Sequence, residues 1–407
     1  MIETNPLIAS AAYLLAIATA ALLLRTVPAF SRQLDHSGES RFAGIDGLRG
    51  YLAFGVFVHH SIITWIFLRT GVIDFPPNNF YSQLGQGSVA LFFMITGFLF
   101  WDRLLTHGRK HDWLAFAVSR LFRLYPLYLP LMLAVFVTVF YLQNWELKEP
   151  VGQIITQTLG WLTFDRPDVN GYHQTGMLIS NVTWTLAYEV FFYLSLPLAG
   201  MLFIYRGGWV QTVLCLIGIY ALYQVVGWEH SLKKHFLASF LGGIAAAYWI
   251  RKPHLLAWSK SPLAGIIALV ALIIAFTAFK RAFALAPLLL LTVFFVIVAS
   301  GNLLFGALRS RSIRWMGEIS YSTYLLHGFV LWLMVQQLPQ MLHLDAREAW
   351  IYLPLMALCS CLLIVISSLT YVYIEKPGIQ SGKNTLYWLR QNKKARKALA
   401  EESAQQR

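Results

Sequence analysis

The chain has 407 residues, 57% of them hydrophobic and only 13% charged, with 32 Lys and Arg against 19 Asp and Glu. Soluble domains run near a quarter charged, and a chain this apolar has too little polar surface to cover itself. This excludes a soluble enzyme and predicts an all-α polytopic membrane protein; the net charge of +13 reads as basic residues gathered in cytoplasmic loops, with no nucleic acid as partner.

A bilayer core takes about 20 apolar residues per helix. Eleven spans are predicted, over residues 6–24, 45–68, 86–102, 122–142, 182–204, 209–226, 234–250, 262–279, 283–304, 318–337 and 351–374. The first follows Glu3 rather than Lys or Arg, and its apolar run is long for a secretory signal, so residues 1–40 read as an extra transmembrane helix with a cytoplasmic linker. With the loop 25–44 in the cytoplasm and strict alternation, 23 of the 32 Lys and Arg fall on the cytoplasmic side, Arg206 among them. Eight fall opposite: Arg69, Lys148, Arg166, Lys233, Lys234, Lys280, Arg281 and Arg347. This asymmetry predicts the N-terminus outside, the C-terminus inside and an odd helix count. The outer stretch 143–181 is long and rich in Trp, Asp, Gly and His; it reads as a functional loop or as a plain connector. Residues 379–407 read as a basic cytoplasmic tail, its end frayed at the membrane face. Cys215, Cys359 and Cys361 fall in apolar runs and read as packing residues.

Charged groups inside a span are costly and mark candidate sites. In IDGLRGYLAFGVFVHHS, Asp46 and Arg49 are three apart and share a helix face. Arg49 and His60 are eleven apart, three turns and some 20° over, so they share a face about 16 Å apart along the axis. An anion held by Arg49 at the cytoplasmic mouth, with its reactive end at a buried imidazole, fits this spacing; snorkelling of Arg49 and an interhelical bond of His60 fit it too. SRLFRLYPLY places Arg120 and Arg123 on one face, as a phosphate clamp or as membrane anchors. In NVTWTLAYEVFFY, Glu189 lies inside its span and needs a partner: His60, the entering substrate or another span. EISYSTYLLHG aligns Ser320, Tyr324 and His327 on one stripe, as site groups or as a hydrogen-bonded seam. GSVALFFMITGFL and FLASFLGGIAAAYW are small-residue packing helices around Gly97 and Gly243. No HExxH, CxxC or GxxxxGK[ST] motif is present, so no metal is expected.

Taken in order, these segments resemble the membrane-bound acyltransferase family 3, over about residues 41–378. Its marks here are the R-x10-H spacing of Arg49 and His60, LFFMITGFL, RLFRLYP, NVTWTLAYEVFFY and GEISYSTYLLH. The resemblance implies a ten-helix acyltransferase core at 41–378, helix 6–24 being an addition, and a stand-alone membrane module in a bacterial inner membrane. It implies an acyl-CoA co-substrate, most often acetyl-CoA, with no bound cofactor. The acceptor would be a glycan, glycolipid or other hydroxyl compound, and membrane lipids surround the chain. Arg49, Arg120 and Arg123 would contact the donor phosphates, His60 would be the catalytic histidine, and Glu189 matches the acid of the WTL-x-x-E motif. Two positions depart from the pattern: Ala90 stands where members often carry an acid, and Thr96 where they carry Ser.

The expected reaction is O-acylation with His60 as general base or transient acyl carrier and Glu189 orienting it. Asp46, Thr96, Tyr324 and His327 are expected as oxyanion or substrate contacts. The alternative is a transporter or flippase of a lipid-linked sugar, which would also use intramembrane Arg, His and Glu but commonly shows repeats or broken helices that this sequence lacks.

Overall fold

The computed structural model describes residues 2–36, 41–205, 208–230 and 232–405. Arg206 and residues 37–40 of the expected linker lie outside them. Helix α1 (Pro6–Thr26) starts where Asn5 accepts the Leu7 amide at 3.0 Å and Pro6 occupies the first turn. The short α2 (Pro28–His36) buries Phe30 and Leu34. Next come α3 (Ala43–Thr70), stopped by Gly71 at φ 71°, α4 (Asn79–His107), capped by Asn78, and α5 (Trp113–Leu142), capped by Asp112. After α6 (Val151–Leu162) the chain runs through α7 (Trp184–Phe203), α8 (Trp209–His230) and α9 (Lys234–Trp249). The pair α10 (Pro253–Ser259) and α11 (Pro262–Ala278) is bent by 73°. Helices α12 (Leu285–Ala299), α13 (Arg311–Glu318) and α14 (Ser320–Leu331) follow, and α14 passes through a π-helical stretch, Trp332–Gln337, into α15 (Leu338–Met341). Finally α16 (Ala349–Thr370) continues through a second π stretch, Tyr371–Glu375, into α17 (Lys376–Gln405).

Among the described residues there is no strand, only a single bridge between Val169 and Tyr172. Seven helices are long and apolar enough to cross a membrane, or eight if the bent pair is one span. The protein is thus an all-α polytopic integral membrane protein. The expected spans 234–250 and 283–304 fall on α9 and α12, of 16 and 15 residues; at 1.5 Å per residue these are about 22–24 Å long, short of the ~30 Å core.

Small residues let the central helices touch. A Cβ on Gly243 would lie 2.0 Å from the Met94 carbonyl oxygen, and one on Gly97 2.5 Å from that of Phe240, so α4 and α9 cross in backbone contact. A Cβ on Gly47 would lie 2.2 Å from the Leu308 oxygen, and one on Gly317 1.9 Å from that of Asp46. This seats α3 directly on α13, with Arg49 beside the crossing.

The stretch 143–181 is a packed cap. Asn170 is buried, accepts the Lys148 and Glu149 amides, and donates to Gln143 Oε1 at 2.6 Å. Trp161 is fully buried, and the hydroxyls of Tyr125 and Tyr128 on α5 donate to the carbonyls of Leu162 and Trp161. Residues 379–405 continue one helix, whose glycines Gly378 and Gly382 sit against Pro126 and Phe122 of α5.

Candidate active site

Where α3 begins and α4 ends, a cavity of about 650 Å³ enters the bundle. Asp46, Arg49, Thr96, Arg120, Arg123, Glu189 and Tyr324 all line it, so seven of the predicted residues meet there from five helices. Arg120 sits over the Phe100 ring at 4.9 Å and the Tyr193 ring at 6.0 Å. The Tyr193 hydroxyl donates to Glu189 at 2.5 Å. Arg123 is ion-paired with Glu375, which is buried. The charges that act on Arg49 are those of Arg123, Asp46, Glu318 and Glu375.

Glu318 and Glu375 are members of this cluster that the sequence reading passed over. Glu318 lines the cavity and accepts from the Tyr371 hydroxyl at 2.5 Å. Both lie at the ends of apolar runs, in GEISYS and YVYIEKP, so the rule that an acid in a span is a candidate would have found them.

A second cavity, of about 1140 Å³, opens toward the cap formed by 143–181. His60 lines it, together with His59 and the cap residues Tyr172, His173 and Asn181. The His60 ring centroid is 5.2 Å from that of His59 and 5.1 Å from that of His327. Both neighbours have a fixed tautomer. A carbonyl oxygen only accepts, so His59 Nδ1 donates to Tyr81 at 2.8 Å and His327 Nδ1 donates to Tyr324 at 2.7 Å. Each neutral ring then presents a bare Nε2, and that of His327 is buried with no hydrogen-bond partner among the described residues. A neutral His327 therefore has no N–H left for an oxyanion.

The two cavities share two lining residues, Val89 and Tyr324. The Tyr324 hydroxyl bonds the Val182 carbonyl at 3.0 Å and Thr185 Oγ1 at 2.9 Å, which pins the ring between them. The predicted residues thus divide. Arg49, Arg120, Arg123, Asp46, Thr96 and Glu189 face one space, His60 faces the other, Tyr324 faces both, and His327 stands behind His60. Glu189 keeps company with the arginines rather than with His60.

Among the described residues no group of three or more His, Cys, Asp or Glu is placed to hold a metal ion. The arrangement offers an anion cradle of arginines, an imidazole in a separate chamber, and one tyrosine between them. Comparison of the chain with curated proteins and with solved structures gave no match. A family model does match, described as an acyltransferase domain and covering residues 42–372, nearly all of the helical bundle. The chain belongs to acyltransferase family 3 and is a membrane acyltransferase.

Proposed function

We propose that the protein moves an acyl group, most often acetyl, from cytoplasmic acyl-CoA to a hydroxyl of a glycan or glycolipid on the far side of a bacterial inner membrane. The observation that carries this is the pair of cavities that meet at Tyr324. Acyl-CoA is anionic and too polar to cross lipid, whereas envelope acceptors lie outside. A basic chamber for the phosphates, opposite a chamber that opens by the cap, answers that problem of sidedness.

In this mechanism Arg49 and Arg120 hold the donor phosphates, with Arg123 held beside them by Glu375. The thin pantetheine arm passes Tyr324 and brings the thioester to His60, about 16 Å along α3 from Arg49. His60 takes the proton of the acceptor hydroxyl, and the oxygen attacks the thioester carbonyl. The tetrahedral intermediate collapses by breaking the C–S bond, and His60 returns the proton to the leaving thiolate. General-base catalysis supplies typically 10²–10⁴-fold, so positioning and oxyanion stabilisation supply the rest. Glu189, held by Tyr193, serves the donor chamber. A transient acyl-His60 reaches the same products in two steps.

The test uses sealed inside-out vesicles fed radiolabelled acetyl-CoA, with wild type and His60→Ala matched for expression. Label entering glycan or lipid only with wild type supports the mechanism. Label that persists in His60→Ala discards His60 as base, and no label from any acyl-CoA discards the donor.

A further inference from the structure

The second cavity carries cations where the positive-inside tendency makes them scarce. In the orientation proposed above only eight Lys and Arg fall on the far side. Three of those eight, Lys233, Lys280 and Arg281, line this one cavity. They come from two separate turns: Lys233 caps the start of α9, and Lys280 and Arg281 sit between α11 and α12. All three are exposed, and among the described residues no ion pair involves any of them. The acid that lines the same space is Asp74; Asp168 stands behind His173, its Oδ2 3.6 Å from His173 Nδ1.

The walls add a second observation. Trp184, Phe236, Phe283 and Tyr172 line the cavity, and aromatic side chains are the kind that take the C–H faces of a sugar ring. Gln86 accepts the Ala282 amide through Oε1 at 3.3 Å, which orients its amide beside Arg281. Aromatic walls, a placed amide and a cationic rim together describe a saccharide that also bears an acid. A neutral glycan would satisfy the walls and leave the cations without a purpose.

We propose that the acceptor is an anionic saccharide, bearing a carboxylate or a phosphate, whose acid is held by Lys233, Lys280 and Arg281 while one of its hydroxyls reaches His60. This rests on the second cavity being the acceptor chamber, so the test reads binding directly and does not need transfer. The full-length protein in phosphatidylcholine nanodiscs is titrated calorimetrically with trigalacturonate, with a phosphorylated maltotriose and with plain maltotriose. Wild type is expected to bind at least one acidic sugar about tenfold more tightly than maltotriose, the equivalent of one charge-assisted hydrogen bond. The Lys233→Gln/Lys280→Gln/Arg281→Gln variant is expected to lose that preference, and Arg281→Lys to keep most of it.

Equal affinity for acidic and neutral sugars in wild type overturns the proposal, as does a preference that survives in the triple variant. If the three cations serve anionic lipid instead, the triple variant, presented with phosphatidylglycerol in detergent, binds less of it than wild type in native mass spectrometry while sugar discrimination in the nanodiscs is unchanged, which also overturns it. A separate acetyl-CoA transfer assay on the same nanodiscs decides the acyltransferase mechanism, so the two failures are told apart.

Discussion

Arg123 and Glu375, 252 positions apart, form an ion pair in which Glu375 is fully buried and Arg123 partly so, and the second carboxylate oxygen of Glu375 accepts from Ser322 Oγ at 2.8 Å. The pair ties α5 to the π stretch between α16 and α17 and holds a cation on the wall of the arginine cavity.

Removing one partner of such a pair leaves an uncompensated charge in a low dielectric. Glu375→Ala is expected to cost about 3–5 kcal/mol of stability, measured by unfolding in mild detergent. The double variant Arg123→Met/Glu375→Leu is expected to recover most of that loss while acyl-CoA binding stays weak. Restored donor binding in the double variant would show that Arg123 is purely structural.

The contact of α3 with α13 is a matter of single atoms. A Cβ on Gly317 meets a backbone oxygen at 1.9 Å, and backbone cannot swing aside. Gly317→Ala is expected to cost about 1–3 kcal/mol and to reduce activity, because α3 carries both Arg49 and His60. Gly152→Ala, where nothing lies within 4 Å, is the control and is expected to be neutral or stabilising by up to about 1 kcal/mol. Equal thermal shifts in the two variants would contradict this account.

Tyr324 separates the chambers, so its substitutions split into two effects. Tyr324→Phe keeps the ring and loses the bonds to Val182 and Thr185, at an expected cost of about 0.5–1.5 kcal/mol per bond. Tyr324→Ala opens the partition. Hydrolysis of acetyl-CoA without acceptor is then expected to rise above wild type, since the widened passage no longer closes around the pantetheine arm and lets more water in beside the thioester at His60. Unchanged hydrolysis in a folded Tyr324→Ala protein would remove Tyr324 as the divider.

Asp112 caps α5 by accepting the Ala115 amide at 2.9 Å and pairs with Arg390 of α17 at 2.5 Å. These bonds, the amide first, hold its carboxyl below the usual carboxylate range. The sign follows: the stabilisation is present above the ordinary value of about 3.9 and is lost as pH falls through the lowered one, so the contact is intact at neutral pH. Asp112→Ala is expected to cost about 1 kcal/mol through the cap and to speed proteolysis within α17. Arg390→Gln alone is expected to cost under about 1 kcal/mol, since the pair is half exposed. A larger effect of Arg390→Gln than of Asp112→Ala would reverse this ranking.

Much of the architecture is visible in composition, because lipid acts on a helix through its average polarity and length. Residues 43–70 form one helix as their apolar run demands, and the eleven-residue spacing sets Arg49 and His60 along it. The glycines of α4 and α9 read as packing residues and do pack, since a missing Cβ is a local property. The acids were harder. The cost of a charge in lipid says that Glu189 needs a partner without saying whether it is His60, substrate or another span, and its neighbours are Tyr193 and Arg120. Glu375, at the end of an apolar run, is fully buried and paired with Arg123.

By itself the sequence determines a membrane-embedded helical bundle, the helix faces that carry Arg49, Arg120, Arg123 and His60, and the small residues that let helices touch. Each of these follows from the period of one helix or the polarity of one segment. Only the tertiary structure decides that the arginines and His60 open into separate cavities, that Tyr324 stands between them, and that Glu375 pairs with Arg123. Those relations join residues many turns and many helices apart, and a local pattern carries no record of which helix becomes the neighbour of which.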